Sequence, residues 1–169
     1  MACRTSLEVE HLLAQFRMNQ QDTPLVTPRC ISLDNDWNSK EEVMKGMTDN
    51  LLLAGRCRYP RKLEADLWAR EAVFSTGLGF SFAIPHSKSE HIEQSTISVA
   101  RLKAPVMWGD EEAQFIIMLT LNKHAAGDQH MRIFSRLARR IMHEDFRNAL
   151  VNAISGEAIA SLLQHELEL

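Results

Sequence analysis

Residues 113–121 read Ala113-Gln114-Phe115-Ile116-Ile117-Met118-Leu119-Thr120-Leu121. A strand with one wet face alternates apolar and polar residues. This run is nearly all apolar, so it reads as a strand covered on both faces. Downstream, Gly127-Asp128 breaks the chain and offers Asp128 as a helix N-cap. Met131, Phe134, Leu137, Ala138, Ile141 and Met142 then recur at helical spacing. Two shorter helices follow, one carrying Phe146 and Leu150, the other Ile159, Leu162 and Leu163 behind a Ser155 cap. Upstream lie a short β-rich segment at residues 96–102, a strand at residues 80–84 and a turn at residues 75–79. Before these, Pro60 opens a helix with Leu63, Leu67 and Trp68 inward. Ser39-Lys40-Glu41-Glu42 is a capping box ahead of a stripe of Val43, Met44, Met47, Leu51 and Ala54, closed by Gly55. Ile31-Ser32-Leu33 is a short strand. Strands interleaved with helices predict a layered α/β fold.

The chain has 169 residues, 45% of them hydrophobic and 24% charged, the make-up of one globular domain with an appendage. Residues 1–30 read as a leading helix with Val9, Leu12, Leu13 and Phe16 on one face, then a polar, proline-broken linker. That helix either packs on the domain or is the tail of an upstream one. The domain proper is placed at residues 31–169. Nineteen Lys and Arg face 22 Asp and Glu, a net charge of −3, which argues against a dedicated nucleic-acid binder. No apolar run approaches a membrane span, and the first residues lack the apolar centre of a signal peptide. The cysteines Cys3, Cys30 and Cys57 have no C-x-x-C spacing, so a reducing cytoplasm is expected rather than a disulfide framework or a zinc module.

The histidines are His11, His86, His91, His124, His130, His143 and His165, and no pair has a compact metal-binding spacing. His86 stands apart because it follows Ala83-Ile84-Pro85. An apolar run that stops at a proline holds its next residue at the carboxyl end of a strand, where α/β folds place ligands. Gly77 and Gly79 read as a tight turn, since no G-K-[ST] closes a nucleotide loop. Serines 75, 81, 87 and 89 lack a G-x-S-x-G setting, which excludes a serine hydrolase elbow. Arg132, Arg136, Arg139 and Arg140 read as the solvated side of a helix.

Arg70-Glu71, Ser75-Thr76-Gly77-Leu78-Gly79 and Ala83-Ile84-Pro85-His86 together form a long signature. It resembles that of the fructose/mannitol-type enzyme IIA domains of the bacterial phosphoenolpyruvate-dependent sugar phosphotransferase system. The likeness runs on through Val99-Ala100-Arg101-Leu102 and Ala104-Pro105-Val106-Met107-Trp108 to Gly127-Asp128-Gln129-His130 and Leu137-Ala138. Ser81 and Ser87 stand where that family has glycine.

The resemblance implies a three-layer sandwich, a mixed, mostly parallel sheet flanked by helices. It implies that the carrier protein HPr, or an HPr-like domain, donates a phosphoryl group to His86, on Nε2. His86 passes it to a cysteine of enzyme IIB, and the membrane is reached only through enzyme IIC. The same reaction serves a regulatory module that signals to a protein target instead of feeding a transporter. Some family members are the C-terminal part of multiphosphoryl transfer proteins. His130 and Arg70 take the assisting positions. Arg70 supplies a forked cation suited to phosphate, and His130 falls in a helix first turn, where free N–H groups favour an anion. No metal or cofactor is implied, because the phosphoryl group arrives activated. An apolar rim beside His86, with Phe80 outside and Phe82 in the core, is expected to exclude water and receive the partner.

Overall fold

The computed structural model describes residues 24–125 and 127–169, side chains of residues 127–130 excepted. The leading helix expected before residue 24 therefore lies outside the described residues.

A 3-10 turn, Pro28–Cys30, leads into strand β1, Ile31–Asn35. Helices α1, Lys40–Leu53, and α2, Pro60–Glu71, follow. Strands β2 (Gly77–Gly79), β3 (Phe82–Ala83), β4 (His86–Ser89), β5 (Thr96–Trp108) and β6 (Glu111–Asn122) come next. Helices α3 (Gly127–Ile141), α4 (Glu144–Asn152) and α5 (Gly156–Glu166) complete the chain. The strands form one sheet in the order β1-β5-β6-β3-β2, with β4 also on β6. It is mixed: β1 with β5, β3 with β6 and β4 with β6 are parallel, while β2 with β3 and the long β5–β6 ladder are antiparallel.

β6 is central because both of its faces are apolar. Phe115, Ile117 and Leu119 meet Ile133, Leu137, Ile141, Phe146, Leu150, Ile159 and Leu163 of α3, α4 and α5. Ile116 and Met118 turn the other way, onto Val43, Met44, Met47, Leu51, Leu63 and Leu67 of α1 and α2. The period of two thus builds two cores and three layers.

Local rules explain the helix starts. The Ser39 hydroxyl accepts the Glu42 amide at 3.1 Å, and the Glu42 carboxylate accepts the Asn38 amide at 2.7 Å. Ser155 accepts the Ala158 amide in the same way. α3 begins at Gly127, so Asp128 is inside the helix rather than capping it. Its buried stripe is Ile133, Leu137 and Ile141, whereas Met131 and Met142 are exposed.

Three strand expectations change. Residues 80–84 do not form one strand: Phe80 and Ser81 have φ of 59° and 65°, making a two-residue hairpin between Gly79 and Phe82. Such a primed turn needs positive φ at both positions. Gly77 and Gly79 are consequently strand residues. β5 runs on past Leu102 to Trp108, with a break in register between Arg101 and Val106, where Pro105 has no N–H to pair. Packing also extends ahead of Ile31. Val26 is buried, and the Leu25 carbonyl accepts the Ile97 amide at 2.7 Å. Among the described residues no helix is long and apolar enough to cross a membrane.

Candidate active site

β3 and β4 share one register along β6, with Phe82 opposite Phe115, Ala83 opposite Ile116, His86 opposite Leu119 and Ser87 opposite Thr120. They are a single strand interrupted at Ile84-Pro85. Pro85 lacks an N–H to give β6, although its carbonyl still accepts the Leu119 amide at 3.0 Å. His86 therefore opens the second segment instead of ending the first, a correction to the expected strand-end position. β2 covers β3 but not β4, which pairs only with β6 among the described strands. The strand thus becomes an edge at His86, open to the helices on both faces.

His86 Nδ1 lies 2.9 Å from the Ile84 carbonyl oxygen. A carbonyl only accepts, so Nδ1 carries the proton and Nε2 the lone pair. Arg70, in the last turn of α2, donates its Nε–H to that Nε2 at 3.2 Å. A second guanidinium N–H goes to the Phe74 carbonyl at 3.0 Å. From the other layer, Phe134 of α3 lays its ring against the imidazole, with centroids 4.6 Å apart.

Burial pushes the His86 pKa below the ordinary imidazole value, and the Arg70 charge pushes the same way. The Ile84 carbonyl and the Glu71 charge oppose this without reversing it. The ring is neutral at neutral pH, with its lone pair on Nε2. Arg70 makes no ion pair among the described residues, which leaves its cation available to an incoming anion. Among the described residues no three His, Cys, Asp or Glu side chains gather as a metal site.

Sequence reasoning singled out His86 and Arg70, and the fold brings them into contact. His130 is in the first turn of α3, and its side chain lies outside the described residues. Phe80 is not placed at the rim. The Ser81 carbonyl accepts the Gln114 and Phe115 amides, so the hairpin sits about four residues along β6 from Leu119, roughly 13 Å at strand rise. There Phe80 stacks under Arg147, while Phe82 is buried against Phe115. The aromatic on His86 is Phe134, which sequence reading counted only as part of a helix stripe. Glu71 and Trp108 were also missed as partners. They were visible as motif letters, with nothing in their spacing to say that they meet.

A family model described as "Phosphoenolpyruvate-dependent sugar phosphotransferase system, EIIA 2" matches residues 24–166. The chain belongs to this EIIA family. It is 90% identical over its full length to multiphosphoryl transfer protein 2 of Escherichia coli K12, covering 20% of that protein. The EIIA chain thus spans about one fifth of the length of the curated relatives it first matches. The nitrogen regulatory protein IIA-Ntr of Neisseria meningitidis has a similar structure, with a TM-score of 0.73 and 26% identity over 82% of this chain and 96% of that one. So does the complex of enzyme IIAMtl with phosphorylated enzyme IIBMtl from Escherichia coli, with a TM-score of 0.68 and 19% identity over 83% and 99%. The layered α/β architecture expected from the residues is the architecture of these EIIA structures.

Proposed function

We propose that this EIIA domain relays a phosphoryl group through His86 Nε2. It takes the group from HPr or an HPr-like domain and gives it to a cysteine of an enzyme IIB, in the cytoplasm, for uptake of a fructose-like or mannitol-like sugar. The observation that carries the reading is the His86 ring, neutral, with Nε2 unprotonated and facing Arg70. In the first step the donor's P–N bond breaks and its electrons return to the donor imidazole, while the Nε2 lone pair forms the new P–N bond. In the second step a thiolate attacks phosphorus, the P–S bond forms, and the electron pair of the breaking P–N bond returns to Nε2. Such transfers need in-line positioning and stabilised equatorial oxygens more than acid–base work. Arg70 moves from the nitrogen lone pair to those oxygens as phosphorus arrives. His130 precedes Phe134 by one helical turn, so the two positions share a face of α3, which supports the assisting role given to His130.

Val73 and Phe74, 79% and 74% exposed in the turn after Arg70, offer an apolar surface suited to a protein partner rather than a small molecule. The 90% relative supports a place within a longer multiphosphoryl chain with its own HPr-like donor. The likeness to IIA-Ntr favours a second reading, a regulatory phosphohistidine that acts on a protein target.

Incubation with phosphoenolpyruvate, enzyme I and HPr should place one acid-labile phosphate on His86, and addition of enzyme IIB should remove it. Full labelling of His86→Ala would refute the relay, and a label that never leaves to any IIB favours the regulatory reading. His130→Ala should retain the fold and slow transfer by about 10²–10³, the worth of an oxyanion donor.

A further inference from the structure

Glu71 is a charged side chain only 7% exposed, and the relay as described makes no use of it. Its Oε1 accepts the Thr76 amide at 2.9 Å, the Trp108 indole N–H at 2.9 Å and the Lys40 ammonium at 2.9 Å. Its Oε2 accepts the Thr76 hydroxyl at 2.6 Å. Lys40 in turn lies over the Trp68 and Trp108 rings, 5.5 Å and 5.0 Å from their centroids. These donors hold the carboxyl below its ordinary pKa although burial alone would raise it. A buried carboxylate with this many donors is an anchor.

What it anchors leads to the nucleophile. The Thr76 carbonyl accepts the Ile84 amide at 3.0 Å, and the Ile84 carbonyl accepts the Nδ1 proton of His86 at 2.9 Å. In the other direction along the chain, Glu71 directly follows Arg70, and residues 71–76 form the turn whose Phe74 carbonyl holds the Arg70 guanidinium. One carboxylate therefore governs the turn between the cation and the strand that carries the imidazole.

We propose that Glu71 is a positioning residue for phosphoryl transfer: by pinning Thr76 it holds the Ile84 carbonyl that keeps the His86 proton on Nδ1 and the Nε2 lone pair toward Arg70. A neutral histidine in water favours the opposite tautomer, with its proton on Nε2, where it blocks attack on phosphorus. The chain of bonds from Glu71 reverses that preference. This inference rests on the reading of His86 as phosphoryl acceptor.

The test is Glu71→Gln in the 169-residue chain. The amide offers one oxygen and two N–H groups to a site built of donors, so Thr76 and Trp108 cannot all be satisfied. Nitrogen-15 NMR of the His86 ring reads the tautomer directly, and transfer from phosphorylated HPr reads the rate. The expected result is a rise in the Nε2–H tautomer and a turnover lower by about tenfold or more, the scale of a small misplacement at a reacting centre, with the KM for HPr within about twofold of wild type. A folded Glu71→Gln chain with the wild-type nitrogen signature and rate overturns the proposal. Thr76→Val removes one donor while keeping the backbone amide and carbonyl, and it serves if Glu71→Gln does not fold. It should shift tautomer and turnover the same way by a smaller factor, and wild-type values for both would overturn the proposal equally. A wild-type chain that takes no phosphoryl group on His86 overturns the relay instead, and the ring signature still reports separately whether Glu71 holds the imidazole.

Discussion

His86 combines a depressed pKa with a fixed tautomer, and each has a measurable consequence. Burial disfavours the imidazolium in the folded chain, so the unfolded chain binds more protons once pH drops toward about 6.5. This residue's contribution to stability is complete above that value and is lost as pH falls through its lower folded value. Thermal melts from pH 7.5 to pH 5 should therefore show a loss of stability that is smaller in His86→Asn. Phosphoryl acceptance should likewise persist below the pH at which an ordinary histidine would be protonated. A rate profile with its acid limb at or above 6.5 would contradict the burial argument. Phe134 bears on the product. Its ring lies 4.6 Å from the imidazole, where under the proposed relay it would keep water from one side of the P–N bond. Phe134→Ala should shorten the lifetime of the phosphohistidine, measured as release of labelled phosphate in the absence of partners. An unchanged lifetime would show that water reaches the bond by another route.

At the scale of elements, β6 supports everything else. Its alternating residues fill two separate cores, and its middle provides the register on which β3 and β4 lie. Ile116→Ala opens the core toward α1 and α2, and Ile117→Ala opens the core toward α3, α4 and α5. Each should cost about 2–5 kcal/mol in denaturant unfolding, the range for truncating a fully buried isoleucine. The Ile116 variant should also reduce transfer more strongly at partly denaturing temperature, because α2 carries Arg70. The Phe80-Ser81 hairpin is a further element with a cost built in. Two non-glycine residues at positive φ are strained, so Ser81→Gly should raise stability by about 1 kcal/mol in the same assay. A decrease would mean that the serine side chain contributes more than the backbone loses.

Across the whole molecule, α2 and α3 approach the β4 edge from opposite layers and meet at His86. Two arginines of α3 have a different task. Arg136 pairs with Glu168 at 2.9 Å and Arg140 with Glu166 at 2.8 Å, tying α3 to the end of α5. Partly exposed pairs of this kind contribute at most about 1 kcal/mol each. Arg136→Ala and Arg140→Ala should therefore lower the melting temperature slightly and leave transfer from HPr unchanged. A large loss of transfer would place these arginines at a partner surface and displace the reading of a structural face.

Much of this molecule follows from short-range rules. The unbroken apolar run of β6 dictates a strand buried on both sides. The Ser39 and Ser155 caps set helix starts, and His86 stands out directly behind Ala83-Ile84-Pro85. Each of these depends on neighbours within a few residues, where spacing and residue type decide the outcome. Other features depended on contacts between distant segments. Trp108 closes the Glu71 anchor from a strand that overran its expected end, because pairing with β6 carries β5 past Pro105. Phe134, outwardly one more apolar residue in a helix stripe, becomes the wall of the site because α3 crosses above the β4 edge. Phe80 leaves the site because two positive φ angles reverse the chain before β3. Spacing along a chain sets which way a side chain faces its own element. Only the packing of elements against one another decides what it faces across the gap, as it does for Phe134 on His86 and Trp108 on Glu71.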